Sequence, residues 1–292
     1  MPLTLGTDVS SLPPEGAQPP LGRPGGRLML PLDAWPIEAR AQLVGVFTDI
    51  DDTLTTEGAV TPDALDAMSA LGAAGLKLVA VTGRPVGWSE PFASVWPVAA
   101  IVAENGAVAL VRTAAGRIEK RYQQDAATRA RNFERMRAVL ARIEREIPPA
   151  RRAADSAGRE CDIAIDHSEF TRLDDATIAQ VVDLMRSEGM HATVSSIHVN
   201  GWWGDHNKLE GARWIVRELW GRSLDGETQR WAYVGDSTND ALMFEHFVHS
   251  VGVANVRRFE AALSHLPRYV APSERGAGFA EAAAAILQAL EK

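Results

Sequence analysis

Cysteine is nearly missing from this sequence: 292 residues contain one thiol, Cys161. A lone thiol can form neither an intrachain disulfide nor a thiolate zinc cluster, so a reducing, cytoplasmic location is the simplest expectation. Positive charge is also in short supply, with 30 Lys and Arg against 38 Asp and Glu and a formal charge of −8. Nucleic acid and anionic lipid are therefore not expected as partners, because both are held largely through Lys and Arg on phosphates. A single local pocket for a small anion is compatible with this balance. No apolar run approaches the ~20 residues of a membrane helix. Residues 1–30 have neither the basic start nor the apolar stretch of an export signal, so export is not expected.

With 46% hydrophobic and 23% charged residues, the composition is that of an ordinary globular protein. The start is rich in Pro, Gly and Ser as far as Gly26, and residues 1–42 read as a flexible tail. Order is expected from Leu43. The apolar run Leu43 to Thr48 ends in Asp49-Ile50-Asp51-Asp52, as a buried parallel strand entering a loop would. Thr61-Pro62 opens a helix with Thr61 as its N-cap. Leu76 to Val81 is the next strand, Thr82-Gly83-Arg84-Pro85 turns into a helix, and Ala99 to Ala103 is a third strand. Strand, helix, strand, helix, strand predicts a doubly wound parallel sheet, an α/β core.

Residues 113–200 differ in character. Helical stretches over Asp125 to Glu146 and Asp174 to Glu188 flank the alternating Cys161 to Asp166 segment, and Ala192 to Val199 reads as one or two strands. That mixture predicts an inserted α+β unit, a cap dividing the core into residues 43–112 and 201–292. The parallel pattern then resumes, with a helix from Lys208 to Trp220 and a strand, Trp231 to Val234, running into Gly235-Asp236-Ser237-Thr238-Asn239-Asp240.

Open parallel sheets bind ligands at the carboxyl ends of their strands, where these polar clusters fall. Asp49 and Asp51 place two like charges close together, which requires a cation or a shared proton. Oxygen ligands without nearby His or Cys favour a hard cation such as Mg²⁺. Asp236 and Asp240 follow a later strand and would complete the acidic cup, while Lys208 and the groups around Thr82 and Gly83 would hold phosphate oxygens.

Val46 to Leu54, Val81-Thr82-Gly83-Arg84, Lys208, and Gly235 to Asp240 resemble, in order, the four motifs of the haloacid dehalogenase superfamily. The position of the insertion and the segment Glu104-Asn105-Gly106 are similar to the subclass IIB, Cof-type phosphatases. The resemblance implies a Mg²⁺-dependent phosphatase acting on a small phosphorylated metabolite, with sugar phosphates foremost. It implies Asp49 as the nucleophile that becomes an aspartyl phosphate and Asp51 as general acid and then base. Thr82 would hydrogen-bond the phosphoryl group and Lys208 would neutralise it, with Gly83, Arg84, Asn105 and Asn239 as further substrate contacts. Asp49, Asp236 and the main-chain carbonyl of Asp51 would hold the metal, with Asp240 supporting its water shell or Lys208.

Two positions depart from the pattern: Asp52 replaces a frequent Gly, and Lys208 is followed by Leu209 rather than Gly. Other readings stay open. A phosphosugar mutase of the same superfamily, a receiver-type signalling domain and a non-catalytic phosphate sensor are the alternatives. Locally, Glu104 to Gly106 reads equally as a plain turn, and His198, Trp202, Trp203 and His206 read as hinge packing or substrate contacts.

Overall fold

The computed structural model describes residues 28–113 and 115–291. Its first half runs β1 (Leu30–Pro31), α1 (Ile37–Arg40), β2 (Gly45–Thr48), β3 (Thr55–Thr56), β4 (Ala59–Val60), α2 (Pro62–Ala73), β5 (Lys77–Val81), α3 (Val86–Ala93), β6 (Ala100–Ala103), β7 (Val108–Arg112) and β8 (Ile118–Tyr122). Then follow α4 (Ala126–Glu146), β9 (Arg151–Arg152), β10 (Ile163–Asp166), α5 (Asp175–Ser187), β11 (His191–Val194) and β12 (His198–Trp202). The chain closes with α6 (Lys208–Trp220), β13 (Trp231–Gly235), α7 (Ala241–His246), β14 (His249–Gly252), β15 (Tyr269–Val270) and α8 (Arg275–Leu290).

Nine strands form one sheet in the order β1-β15-β14-β13-β2-β5-β6-β7-β8. All neighbours are parallel except β6, β7 and β8, which form an antiparallel edge. Both faces are buried, which explains the continuous apolar runs. Val46, Leu78 and Ala80 face one core with Met68, Leu71, Phe279 and Ile286. Phe47, Val79 and Val81 face the other, with Trp214, Ile215, Tyr233 and Phe247. The chain leaves β2 to build β5 and β6 on one side and returns to build β13 and β14 on the other. The crevice at this reversal, on the carboxyl ends of β13, β2, β5 and β6, is where an open α/β sheet takes its ligand.

A second sheet, β11-β12-β10-β9, is antiparallel throughout. Met136, Leu140 and Ile143 of α4 and Val181 and Met185 of α5 pack against Ile163, Ile165 and Val199 on one of its faces. His198 and Asn200 alternate to the other face, towards the first sheet.

Three expectations change in detail. The Pro/Gly-rich stretch to Gly26 lies outside the described residues, but residues 28–42, read as tail, carry structure. β1 pairs with β15, Trp35 stacks on Tyr269, and Arg40 donates to the carbonyl of Ala285. The inserted stretch read as 113–200 also shifts: β8 belongs to the large sheet and β12 extends to Trp202. A charged edge strand such as Ile118–Tyr122 has too little apolar pattern to be assigned to a sheet locally. Thr61 precedes α2 as its N-cap residue, but its hydroxyl makes no capping bond.

Gly106 fixes how α6 meets the sheet. Its φ is +106°, and a Cβ there would lie 2.2 Å from the carbonyl oxygen of Asn207, the N-cap of α6. Gly106→Ala should therefore cost about 2 kcal/mol or more, from left-handed strain and overpacking together. A urea midpoint unchanged from wild type would contradict the close approach.

Candidate active site

Four parallel strands deliver the polar groups. Asp49 follows β2, Thr82 follows β5, Glu104 follows β6 and Asp236 follows β13. Lys208 is the first residue of α6, and its Nζ donates to Asp49 Oδ1 at 2.6 Å and Asp240 Oδ1 at 2.7 Å, with all three side chains buried. Lys77 and Lys120, the other lysines of interest, lie elsewhere: Lys77 over Trp220, and Lys120 on Glu90 and Glu160.

Asp240 is fully engaged. Oδ1 takes Lys208 and the hydroxyl of Tyr233, while Oδ2 takes the backbone N–H groups of Asp236 and Ser237 at 2.9 and 3.1 Å. Gly235 makes this possible, since a Cβ at that position would stand 2.5 Å from Asp240 Oδ2. Asp236 is held by Asn255, whose Nδ2 donates to Oδ2 at 3.0 Å and to the carbonyl of Asp52 at 3.0 Å. Asp236 Oδ1 is buried with no hydrogen-bond partner among the described residues.

Carboxyl oxygens of Asp49, Asp236 and Asp240 lie within 4.8 Å of one another. Burial, with the repulsion of Asp240 and Asp51, pushes Asp49 up to about 8 despite Lys208. Burial and the charges of Asp49 and Asp240 raise Asp236 well above the carboxylate range. Several acids around one ammonium therefore lack positive charge, and the unpaired Asp236 Oδ1 lacks a partner. A hard divalent cation supplies both, and an all-oxygen donor set suits it.

The structure separates the expected metal set into distinct duties. Asp49 and Asp236 have carboxylate capacity for a cation, whereas the hydrogen bonds of Asp240 suit it to holding Lys208 and the loop. The carboxylate of Asp51 is outside the cluster, on Arg84: Nε donates to its two oxygens at 2.9 and 3.0 Å. Arg84, expected to touch substrate, is buried, stacks on Trp88 with its guanidinium 4.9 Å from the ring, and also pairs with Asp155 and Glu169. Thr82 is fully buried and accepts the Arg84 N–H on its hydroxyl at 3.0 Å. Asn239 accepts from Ser237 on its amide oxygen.

The second sheet closes over this edge through polar contacts. The carbonyl of Gly83 accepts from Arg159 at 3.0 Å and Asn200 at 3.3 Å, and both also bind Asp162. Asn105, at a left-handed φ of 54°, donates to Asp162 Oδ2 at 3.2 Å. Glu104 does more than form a turn. Its buried carboxylate accepts the N–H of Val86, at the start of α3, and those of Glu160, Cys161 and Asp162, so one side chain ties both units together. Thr238 donates to the carbonyl of Val194 at 2.6 Å.

Sequence reading singled out neither Arg159, Asp162, Glu169, Tyr233 nor Asn255 for the site. All lie between or beyond the motifs, and only Asp162 and Tyr233 fall on visible strand patterns. Of the group left between packing and substrate contact, Trp202 stacks between His191 and His206, and Trp203 lies under Arg135. His198 pairs with Glu169. His206 is buried, both its ring nitrogens lack a hydrogen-bond partner among the described residues, and burial lowers it to about 4, so it is neutral. It lines a cavity of about 370 Å³ together with Thr193, Lys208 and Asn239. Cys161 is buried as expected, with its thiol pushed up by burial and neighbouring acids.

Residues 46–133 match the family model described as haloacid dehalogenase-like hydrolase. That match runs from β2 into α4, and the doubly wound fold and the ordered motifs agree with it. Among curated protein sequences none matches this one. Solved structures that resemble it include a Thermoplasma acidophilum protein (TM-score 0.64, 16% identity, covering 82% of this chain and 96% of that one). The sucrose-phosphatase of Synechocystis, solved with sucrose and phosphate, has a TM-score of 0.60 at 18% identity, covering 84% and 98% of the two chains. A sugar phosphatase of subclass IIB gives 0.55 at 15% identity, covering 78% and 92%.

Asp49 and Asp236 have raised values in the folded state, so their protonated forms favour folding. That contribution is complete below the unfolded carboxyl value near 3.9 and, for Asp49, is lost as pH rises through about 8. Cation-free protein should therefore lose stability between pH 5 and pH 8, and a saturating divalent cation should restore about 5 °C of melting temperature, more at pH 8 than at pH 6. Asp236→Asn should raise the cation-free melting temperature at pH 8 and remove the cation-induced shift. Persistence of the full shift in that variant would show that the cation binds elsewhere.

Proposed function

We propose that this protein is a Mg²⁺-dependent phosphatase of small sugar phosphates that works through an aspartyl phosphate. The carrying observation is the buried grouping of Asp49, Lys208 and Asp236 beside Asp51, at the crevice of the sheet and beneath the second unit, which acts as a cap.

In this reading an Asp49 carboxylate oxygen attacks phosphorus in line, the bond to the leaving oxygen breaks, and Asp51 gives that oxygen a proton. Asp51 then takes a proton from the water that attacks phosphorus, releasing inorganic phosphate and restoring Asp49. Lys208, held by Asp49 and Asp240, orients the nucleophile and balances charge on the phosphoryl oxygens, with Thr82 and Gly83 as neighbouring contacts. Asp49 and Asp236 would hold Mg²⁺, with the main-chain carbonyl of Asp51, and Asn255 and Asp240 would keep the ligands in place. The metal supplies positive charge that keeps Asp49 ionised and neutralises the phosphoryl group.

The cleft favours a leaving group that carries hydroxyls. Its buried arginines, Arg84 and Arg159, are both paired with carboxylates. His206, which is neutral, Thr193 and Asn239 line the cavity beside Lys208 and offer donors and acceptors, alongside the charged Arg186 and Asp205. The sucrose-phosphatase and sugar phosphatase among the similar folds agree with this preference.

Phosphate release from a panel of sugar phosphates, nucleotides and phosphoglycerates should appear with Mg²⁺ and vanish with EDTA. Sugar phosphates should turn over fastest. Asp49→Asn should lower kcat by at least about 10³-fold with folding retained, since it removes the attacking group. Near wild-type turnover in that variant would overturn the assignment.

A further inference from the structure

Arg84 is the point at which the two units meet the proton-transfer residue. From the core, its Nε and Nη2 hold Asp51, the latter at 2.8 Å from Oδ1. From the cap, Asp155 reaches Nη1 at 3.3 Å and Glu169 reaches Nη2 at 2.8 Å. The guanidinium is thus fixed by three carboxylates and a Trp88 face, and its plane sets the plane of the Asp51 carboxylate. The guanidinium uses only one edge of that carboxyl group, which leaves an oxygen position free to carry the proton it passes to the leaving group.

The cap side of this contact is itself organised. Asp166, at the end of β10, accepts the N–H groups of Ser168, Glu169, Phe170 and Thr171 at 2.9 to 3.1 Å, folding the loop that presents Glu169. The second oxygen of Glu169 takes His198 Nε2 at 2.9 Å. Burial alone would raise Glu169, but the hydrogen bonds of His198 and Arg84 outweigh it and hold the group near 2, a full negative charge at neutral pH. Asp155 also pairs with Arg159, which donates to the Gly83 carbonyl and to Asp162 as well. None of these bonds to Arg84 exists unless the cap lies on the core.

We infer that Glu169 and Asp155 are positioning residues for Asp51, acting through Arg84 so that the proton donor is oriented only when the cap is closed. The inference rests on the proposed role of Asp51 and adds a control to it: transfer from a closed site is favoured over reaction in an open one exposed to water. Without Glu169, Arg84 keeps its bonds to Asp51 but loses the anchor that fixes its own rotation. The acid is then present and misaligned, and in the step that forms the aspartyl phosphate this loss is felt only when the leaving group needs a proton.

That selectivity is the test. p-Nitrophenolate leaves without protonation, whereas the alkoxide of a sugar phosphate does not. Glu169→Gln, assayed with Mg²⁺ on p-nitrophenyl phosphate and on the best sugar phosphate of the panel, should lower kcat/KM for the sugar ester about 10-fold or more. It should lower kcat/KM for p-nitrophenyl phosphate, which reports only the steps up to the aspartyl phosphate, less than about 3-fold. The 10-fold figure corresponds to the lower end expected for a hydrogen bond to a charged group. Glu169→Asp should recover part of the loss, and Asp155→Asn should give the same substrate pattern if Glu169→Gln fails to fold. Equal loss of kcat/KM on both esters, or no loss, would overturn the inference while leaving the phosphatase reading intact. Absence of Mg²⁺-dependent hydrolysis in wild type would instead sink that reading.

Discussion

Everything at this site depends on one buried ammonium placed among more carboxylates than it can neutralise. Lys208 holds Asp49 and Asp240 out of water, and Asp236 stands close by with an unpaired oxygen. Buried like charges are tolerated only with a counterion or a proton. The arrangement is therefore poised to accept a cation together with an anion, which is what a metal-dependent phosphoryl-transfer site needs. Supporting residues serve that end: Tyr233 and two backbone N–H groups hold Asp240, Asn255 holds Asp236, and Gly235 lets the loop close tightly.

Polar rather than apolar contacts carry much of the junction between the two units near the site. Glu104, Asp162, Arg159 and Asn200 cross it with their hydrogen bonds satisfied in several directions, and Arg84 links it to Asp51. Hydrogen bonds of this kind are strong when made and costly to leave unmade in a buried place. They fix orientation better than an oily surface does, because each donor must meet its acceptor at one distance and angle. A junction of this type suits a site that must close on substrate in a single geometry and reopen to release product.

The strands and helices of the core were largely legible. β2, β5, β6 and β13 appear as apolar runs because both faces of a parallel sheet are buried, and α6 begins at Lys208 as read. The candidate acids were visible in the sequence too, since Asp49 follows β2 and Asp236 follows β13, while Lys208 opens α6. Edge elements were harder: β1 and β8 are short or charged, and only their sheet partners define them. Arg84 was visible as a residue but not in its duty, because its partners Asp155 and Glu169 lie 71 and 85 positions away in the chain.

The sequence by itself determined the α/β class, the existence of an inserted unit, and the acids, threonine and lysine that gather near the carboxyl edge of the sheet. Local periodicity and strand-end chemistry are encoded over a few residues, so they can be read one segment at a time. Only the tertiary structure decided that Asp240 holds Lys208 and the loop through hydrogen bonds, that Asp51 sits on Arg84, and that Glu104 ties cap to core. Those assignments turn on which donor reaches which oxygen, and that is set by the angle at which distant segments meet.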